Sequence, residues 1–374
     1  MVLVDNGSEG AEASAIGREH GAGVVRLDSN RGFASGVNAG ISASHGGVVG
    51  LLNDDAVAGP NWLDAAERLL AEGDVAAVAP KVLFAGRFGE VVFDDEPHFA
   101  SGDARALGRQ LLSAELAGAD VLELLCGPGI HGVETGVAEA AEAPDGARWR
   151  WTAGRAPVYV PLGASSEETD HAAAPAFGEL VIDGEPVRVH RVVDLVNSAG
   201  CYLRRDGYAG DFGAARADDG AFDHPRECFA ASGSALVTTS RVLESVGRLE
   251  PSFFAYYEDV DWCWRARLQG FRVLYDPAST VRHVSGQTSG GTRSPRVRHL
   301  AERNRLLTLA RCAPLRLAIG ETRRKQSGGG DDGVAEVLAR AVPRALVQRA
   351  GLRRRWKLRC ADVFRAWAGV DVTP

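Results

Sequence analysis

Short apolar runs alternate with amphipathic stretches over the first eighty residues. Val2 to Val4 predicts a strand, and Asp5-Asn6-Gly7-Ser8 after it is turn chemistry. Val24 to Leu27 predicts a second strand, and Ala34 to Ser44 a short helix of small residues. Val48 to Leu52 is apolar throughout, as a strand covered on both faces should be, and stops at Asn53-Asp54-Asp55. Pro60 opens a helix with Trp62, Leu63, Ala66, Leu69 and Leu70 on one stripe, and Gly73 closes it before a strand at Val75 to Ala79. Strand and helix alternating at this spacing argue for βαβ units and a doubly wound α/β sheet.

From Phe84 to Val196 the pattern weakens. Strand-like pieces such as Arg148 to Thr152 and Pro157 to Val160 lack helical partners, so residues 85–196 read as a β-rich insertion. Regular pattern returns near Asn197. It predicts helices at Ser240 to Val246 and Glu258 to Gln269, then a strand at Phe271 to Tyr275 stopped by Asp276-Pro277. After Arg296 the chain reads helical to its end, with a loop at Gln326 to Gly333.

Composition narrows the class. At 374 residues, 45% hydrophobic and 24% charged, this is the make-up of a globular protein with one large domain or two modest ones. There is no apolar run of membrane-spanning length and no signal-peptide pattern, so a cytoplasmic chain is expected. The six cysteines form no C-x-x-C pair and read as reduced, structural thiols. Net charge is −7, yet Arg340 to Arg359 carries eight Lys or Arg residues and no acid. That stretch fits a solvated helix face or a patch for anionic headgroups at the inner face of a membrane. An acidic body without aromatic–basic motifs argues against nucleic acid.

Three groups of residues could carry chemistry. Asn53-Asp54-Asp55 places two carboxylates beyond a strand's carboxyl end, where open α/β sheets bind ligands and where a diphosphate would need a hard divalent cation. The same residues also suit a polar turn. Phe253-Phe254-Ala255-Tyr256-Tyr257 leads into Glu258-Asp259-Val260-Asp261 at a predicted helix start. The helix dipole accounts for acids there, whereas the aromatics also suit a sugar-stacking pocket with a carboxylate as general base. His283 is either structural or a nitrogen ligand completing a metal site.

The ordered set Val-Asp-Asn-Gly-Ser (4–8), Asn-Arg-Gly-Phe-Ala-Ser-Gly-Val-Asn-Ala-Gly (30–40), Leu-Leu-Asn-Asp-Asp-Ala (51–56), Gly-Ser-Ala (233–235), Phe-Phe-Ala-Tyr-Tyr-Glu-Asp-Val-Asp (253–261) and His283 resembles family 2 glycosyltransferases. The nearest flavour is the rhamnosyltransferase and galactofuranosyltransferase group of cell-wall polysaccharide biosynthesis. The match spans about residues 1–85 and 195–310. It implies a GT-A fold, mostly parallel and doubly wound, over 1–84 and 197–295. The 85–196 insertion would be acceptor-related, and 296–374 a helical, basic C-terminal region. It implies an inverting transfer from a nucleotide-sugar, dTDP-rhamnose or a UDP-sugar, to a glycan or polyprenyl-linked glycan, assisted by Mn2+ or Mg2+. Asp259 would be the catalytic base, with Glu258 beside it and Asp261 in support. Asp5, Asn30, Phe33, Asn38, Asn53 and Asp54 would bind the donor, and Asp55 and His283 the metal.

Three departures accompany the resemblance. Relatives begin with one more strand, ending in a Thr-Tyr-Asn-like turn, so a strand is expected to be missing ahead of Met1. Val37 stands where many relatives have arginine, and the insertion adds about a hundred residues. The competing readings are a sugar-phosphate nucleotidyltransferase, whose Gly-rich basic loop is lacking here, and a non-catalytic glycan-binding relative. An NAD-dependent oxidoreductase is disfavoured by the lack of a G-x-G-x-x-G after a strand.

Overall fold

A computed structural model describes all residues except 94–95, 97–106, 108, 129, 131–133, 137–146, 154–155, 163–179, 285–294, 328–333 and 370–374. The chain divides into two compact units, residues 1–82, 198–212 and 222–374 in the first and 83–197 with 213–221 in the second.

The first unit opens with strand β1 (Val2–Asp5), helix α1 (Glu12–Glu19), β2 (Gly23–Arg26), α2 (Phe33–Ala43), β3 (Val48–Leu52), β4 (Ala56–Ala58), α3 (Trp62–Leu70) and β5 (Val75–Phe84). Six of these lie within a residue or two of the expected strands and helices, except that β5 runs five residues further; α1 and β4 were not among the expected elements. β1 and β2 pair in parallel as a two-stranded sheet. The chain returns through β6 (Cys201–Leu203), β7 (Ala209–Asp211), β8 (Arg226–Glu227), β9 (Ala235–Thr239), α4 (Ser240–Val246), α5 (Glu258–Leu268) and β10 (Arg272–His283). β9 inserts between β3 and β5 and runs antiparallel to both, with Ala235 opposite Leu52 and Val237 opposite Val78.

The core under this sheet follows from the amphipathic stripe of α3. Trp62, Ala66 and Leu70 bury against Val75, Val78, Val82, Val237 and Val281. Gly50 permits the approach, since a Cβ there would lie 2.8 Å from the Trp62 ring. β10 runs straight through Asp276-Pro277, where the sequence predicted a stop. Pro277 falls between the stretches that pair with β8 (Leu274–Tyr275) and β4 (Val281–His283), so its missing N–H costs neither ladder a bond.

Helices α6 (Pro295–Cys312), α7 (Leu315–Ser327), α8 (Val334–Leu352) and α9 (Cys360–Trp367) complete the unit. α7 continues through Gln326 and Ser327, and the rest of the expected loop lies outside the described residues. Buried Arg349 of α8 donates to the carbonyls of Ala310 and Ala313, satisfying acceptors that the end of α6 leaves open. Phe364 of α9 stacks on Trp264, and Arg267 lies over the Trp367 ring. All six cysteines are free thiols.

The second unit is built of small antiparallel sheets. Phe88–Val92 pairs with Pro157–Pro161 on one side and Arg191–Val193 on the other. Leu180–Ile182 lies between Ala114–Leu116 and Glu185–Val187. Its core gathers Val91, Leu111, Leu122, Val158, Val160 and Leu180.

Candidate active site

Backbone register brings the acidic segments of the first unit together at the start of β9. Beyond β3, the Asn53 amide donates to the Ser234 carbonyl at 3.0 Å. One residue earlier, the Gly233 amide donates to Oδ2 of Asp259 at 2.7 Å. Gly233 and Ser234 thus hold the strand-end acids on one side and the helix-start acid on the other. Glycine keeps the approach close at 233, where a Cβ would sit 3.2 Å from the Phe33 ring and 3.3 Å from Asp259 Oδ2, so that one of these side chains would have to give slightly.

On the strand-end side, β10 pairs with β4 so that His283 stands opposite Ala56, one residue from Asp55. Nε2 of His283 lies 3.0 Å from Oδ1 of Asp55 and 3.4 Å from Nδ2 of Asn53. Asp54 is exposed at the tip of the turn. Oδ1 of Asn53 is buried with no hydrogen-bond partner among the described residues. A carboxylate oxygen and an imidazole nitrogen at this separation suit a divalent cation, though no group of three or more metal-ligating side chains forms among the described residues.

On the helix side the first turn of α5 sorts its three acids. Asp259 accepts from Gly233 N through Oδ2 and from Val260 N through Oδ1, and no cation pairs with it among the described residues. Burial raises its pKa to about 6, the two amides opposing that rise. Glu258 is buried, its Oε2 without a hydrogen-bond partner, and burial together with the Asp259 charge pushes its carboxyl well up. Its ionised form is therefore disfavoured. Asp261 is fully buried between Arg265 (2.8 Å) and Arg311 (2.6 Å), whose charges hold its pKa low against the cost of burial. That carboxylate ties α5 to α6.

The turn before α5 is strained. Phe254 has φ 67° and ψ −69°, the centre of a γ-turn closed by Ala255 N donating to Phe253 O at 2.8 Å. Tyr256 and Tyr257 follow at φ 72° and 69°. Each such non-glycine residue costs on the order of 1–3 kcal/mol, and such strain collects at functional sites. Of the five residues in this segment, Phe253 and Tyr257 are buried, and the Tyr257 hydroxyl accepts from the Ala209 amide. Only Phe254 and Tyr256 remain as aromatic faces for a sugar. Trp262 and Trp264, next in sequence, are core residues.

On the donor side, the Phe254 carbonyl accepts from Ala34 N at the start of α2. It crowds Gly32, whose φ of 83° and lack of a Cβ make the approach possible. Phe33 begins α2 against Gly233. Asn30 is exposed, and its Oδ1 accepts from Gly32 N and Asn6 Nδ2. Two expected donor contacts face inward. Asp5 is buried, accepting from Ser8 N, Ser14 Oγ and Arg26, and the Ser8 and Ser14 hydrogen bonds with the Arg26 charge lower its pKa. Asn38 clamps both the N–H and C=O of Leu249.

Sequence reasoning did not single out Asp211, Gly233 or Asn304. Asp211, at the end of β7, accepts from Cys201 Sγ at 3.5 Å and lies close enough to feel the charges of both His283 and Asp259. Desolvation by the surrounding protein raises its pKa. No local pattern marks it. Gly233 lay in the quoted Gly-Ser-Ala motif, and Asn304 is the polar residue that opens the buried helical run Asn304 to Cys312.

Two family models match the chain, "Glycosyl transferase family 2" over residues 1–104 and "Glycosyltransferase like family 2" over 185–301. A curated relative, the low-salt glycan biosynthesis hexosyltransferase Agl10 of Haloferax volcanii, is 40% identical over 43 residues, 12% of this chain and 14% of that protein. Among solved structures, GalNAc-T7 with UDP, GalNAc and Mn2+ aligns at TM-score 0.47 and 10% identity, over 94% of this chain and 50% of that one. The mannosyltransferase PcManGT of Pyrobaculum calidifontis, with GDP-Man and Mn2+, aligns at TM-score 0.39 and 12% identity, over 98% and 77%. The chain therefore spans about a seventh of the curated relative and half of the first of these structures.

Proposed function

The chain belongs to glycosyltransferase family 2, and from that premise we propose that it is an inverting glycosyltransferase acting on a nucleoside-diphosphate sugar. The observation that carries this reading is the convergence on Gly233–Ser234. A desolvated aspartate with a pKa of about 6 and no cationic partner among the described residues sits there beside the Asn53–Asp55 strand end. Asp259 takes the proton from an acceptor hydroxyl as that oxygen attacks the anomeric carbon from the face opposite the diphosphate. Of the other two acids in this turn, burial disfavours the ionised form of Glu258 and Asp261 is held between Arg265 and Arg311, which leaves Asp259 as the carboxylate without a cationic partner among the described residues. Phe254 and Tyr256 offer the acceptor sugar its apolar faces.

Asp55 and His283 fit a hard cation, and the GalNAc-T7 and PcManGT structures contain Mn2+. In this chain they would hold Mn2+ or Mg2+, with Asn53 and Asp54 beside them on the donor. When bound, the ion offsets charge growing on the departing diphosphate. The donor classes we favour are dTDP-rhamnose and UDP-sugars, and the acceptor class is a glycan or polyprenyl-linked glycan, with residues 85–196 shaping acceptor choice.

Among the described residues no helix is long and apolar enough to cross a membrane. Contact with a lipid-linked acceptor would instead use the C-terminal basic surface at the inner face of the cell membrane. Exposed Arg353, Arg354, Lys357 and Arg359 adjoin exposed Leu346, Val347 and Leu358 there.

Calorimetry with dTDP-rhamnose, UDP-galactofuranose, UDP-glucose and GDP-mannose, with and without Mn2+, tests the reading. Metal-dependent binding of one donor, abolished in Asp55→Ala, is expected. Release of pyrophosphate from a nucleoside triphosphate and a sugar phosphate would point to a nucleotidyltransferase, and binding of none would leave a glycan-recognition module.

A further inference from the structure

Asn304, fully buried in α6, sends its side-chain Nδ2 to three backbone carbonyls, Phe253 O, Ala255 O and Tyr256 O, each at 2.8 Å. The orientation of the amide is fixed from behind, because Arg303 donates to its Oδ1 at 2.6 Å. Arg303 also donates to Ser252 O, one residue before the turn. One NH2 carries two hydrogens, so three acceptors share them, and they belong to the segment holding three left-handed residues in four positions. An unbraced chain of Phe, Ala and Tyr would relax toward negative φ.

What this segment controls is the placement of Asp259. Tyr257 O accepts from Asp261 N, so the turn sets where α5 begins, and Asp259 lies in its first turn. At its other end Phe254 O meets the start of α2. We infer that Asn304 is a positioning residue, holding the strained Phe253–Tyr257 turn in the shape that sets the Asp259 carboxylate against Gly233 and Phe33. The inference rests on the reading of Asp259 as base and adds a residue outside the matched motifs. It acts through the backbone and does not touch the reacting atoms.

Two measurements test it. In the full chain carrying Asn304→Ala, hydrogen–deuterium exchange should rise in peptides covering 253–261 and stay unchanged in those covering 48–55. That arm assumes nothing about the reaction, and unchanged protection across 253–261 overturns the brace outright. Turnover is then read as nucleoside diphosphate release from the four donors named above. Displacing a catalytic group by about 1 Å costs on the order of 100-fold, so kcat should fall by roughly that factor while donor KM moves less than about threefold. A merely structural role would lower activity only in step with the folded fraction.

A double-mutant cycle with Tyr256→Gly keeps the test open if Asn304→Ala folds poorly. Glycine adopts φ near 72° without strain, so Asn304→Ala should cost several-fold less in that background. Equal losses in both backgrounds would mean that Asn304 does not act through the turn. If the wild-type chain turns over none of the four donors, the transferase reading falls, and the exchange arm alone decides whether the brace exists.

Discussion

The two acidic segments of the site are built on opposite principles. Asn53–Asp55 follows a regular strand and is open at its tip, and Asp55 has His283 as its neighbour at 3.0 Å. Glu258–Asp261 follows a strained turn, is mostly buried, and has every carboxylate in a different electrostatic state. The open pair can gain charge compensation from outside, as a cation and a diphosphate would give. In the helix-start trio the partners come from the fold itself, which sets the ionisation of each acid. Asp259 and Asp261, two residues apart, make the contrast sharpest. Burial acts on both, but Asp259 finds only backbone amides where Asp261 finds two guanidinium groups. Partners, not position in the motif, separate a candidate base from an anchor.

The largest effect that could break this contrast is at Asp259. Asp259→Asn keeps the volume and one acceptor oxygen, and should lower kcat by about 10²–10⁴-fold while leaving donor affinity in place. Donor affinity lost together with kcat would move Asp259 out of the base role. Because burial raises its pKa above the ordinary aspartate value of 3.8, ionising Asp259 opposes folding. That penalty is absent below 3.8 and fully present above about 6. Asp259→Asn should therefore melt higher than wild type at pH 8, with the gap closing toward pH 4.

Asp261 should respond in the reverse way. Removing its charge leaves Arg265 and Arg311 buried without their carboxylate, a loss on the order of 3–5 kcal/mol. Denaturant titration of Asp261→Asn should show that drop, and the folded protein that survives should retain its donor affinity. A mild loss of stability with a collapse of kcat would instead make Asp261 part of the chemistry.

Much of this was legible in the sequence because it is local. Strands that end in contiguous acids, and a helix that begins with them, announce themselves by pattern. Their roles were not legible, since Glu258, Asp259 and Asp261 look alike until Gly233, Arg265 and Arg311 are placed around them. Asn38 matched a donor-lining position yet clamps Leu249, 211 residues away in sequence. Asp211 and Asn304 also act across gaps in sequence, Asn304 on the turn about fifty residues before it, on hairpin and helix segments whose own sequence gives no hint of the partner. β10 shows the opposite limit. Asp276-Pro277 is turn chemistry by composition, but pairing with β8 and β4 on either side of Pro277 overrides it.

A third effect sharpens the contrast through pH. If Asp259 is the base, kcat should fall about tenfold per unit as pH drops through its pKa of about 6. The neighbouring Glu258, whose ionised form burial disfavours, is not expected to supply this limb. Glu258→Gln should therefore leave the position of the acid limb almost unchanged. An acid limb that vanished in Glu258→Gln and persisted in Asp259→Asn would exchange the two roles.

The smallest expected effect lies farthest from the acids, on the basic C-terminal surface. Deleting it would be a poor test, because Arg349 caps α6 and α9 packs on Trp264. Neutralising exposed Arg353, Arg354 and Lys357 to glutamine leaves those contacts alone. Each basic residue near an anionic bilayer contributes about 1 kcal/mol, roughly fivefold in partitioning. Cosedimentation with phosphatidylglycerol vesicles should therefore weaken stepwise through the single, double and triple variants and fade as salt rises. Turnover on a soluble acceptor should stay at the wild-type level, since none of the three touches the site. Binding to the vesicles that ignored both charge and salt would assign the surface to apolar Leu346, Val347 and Leu358 instead.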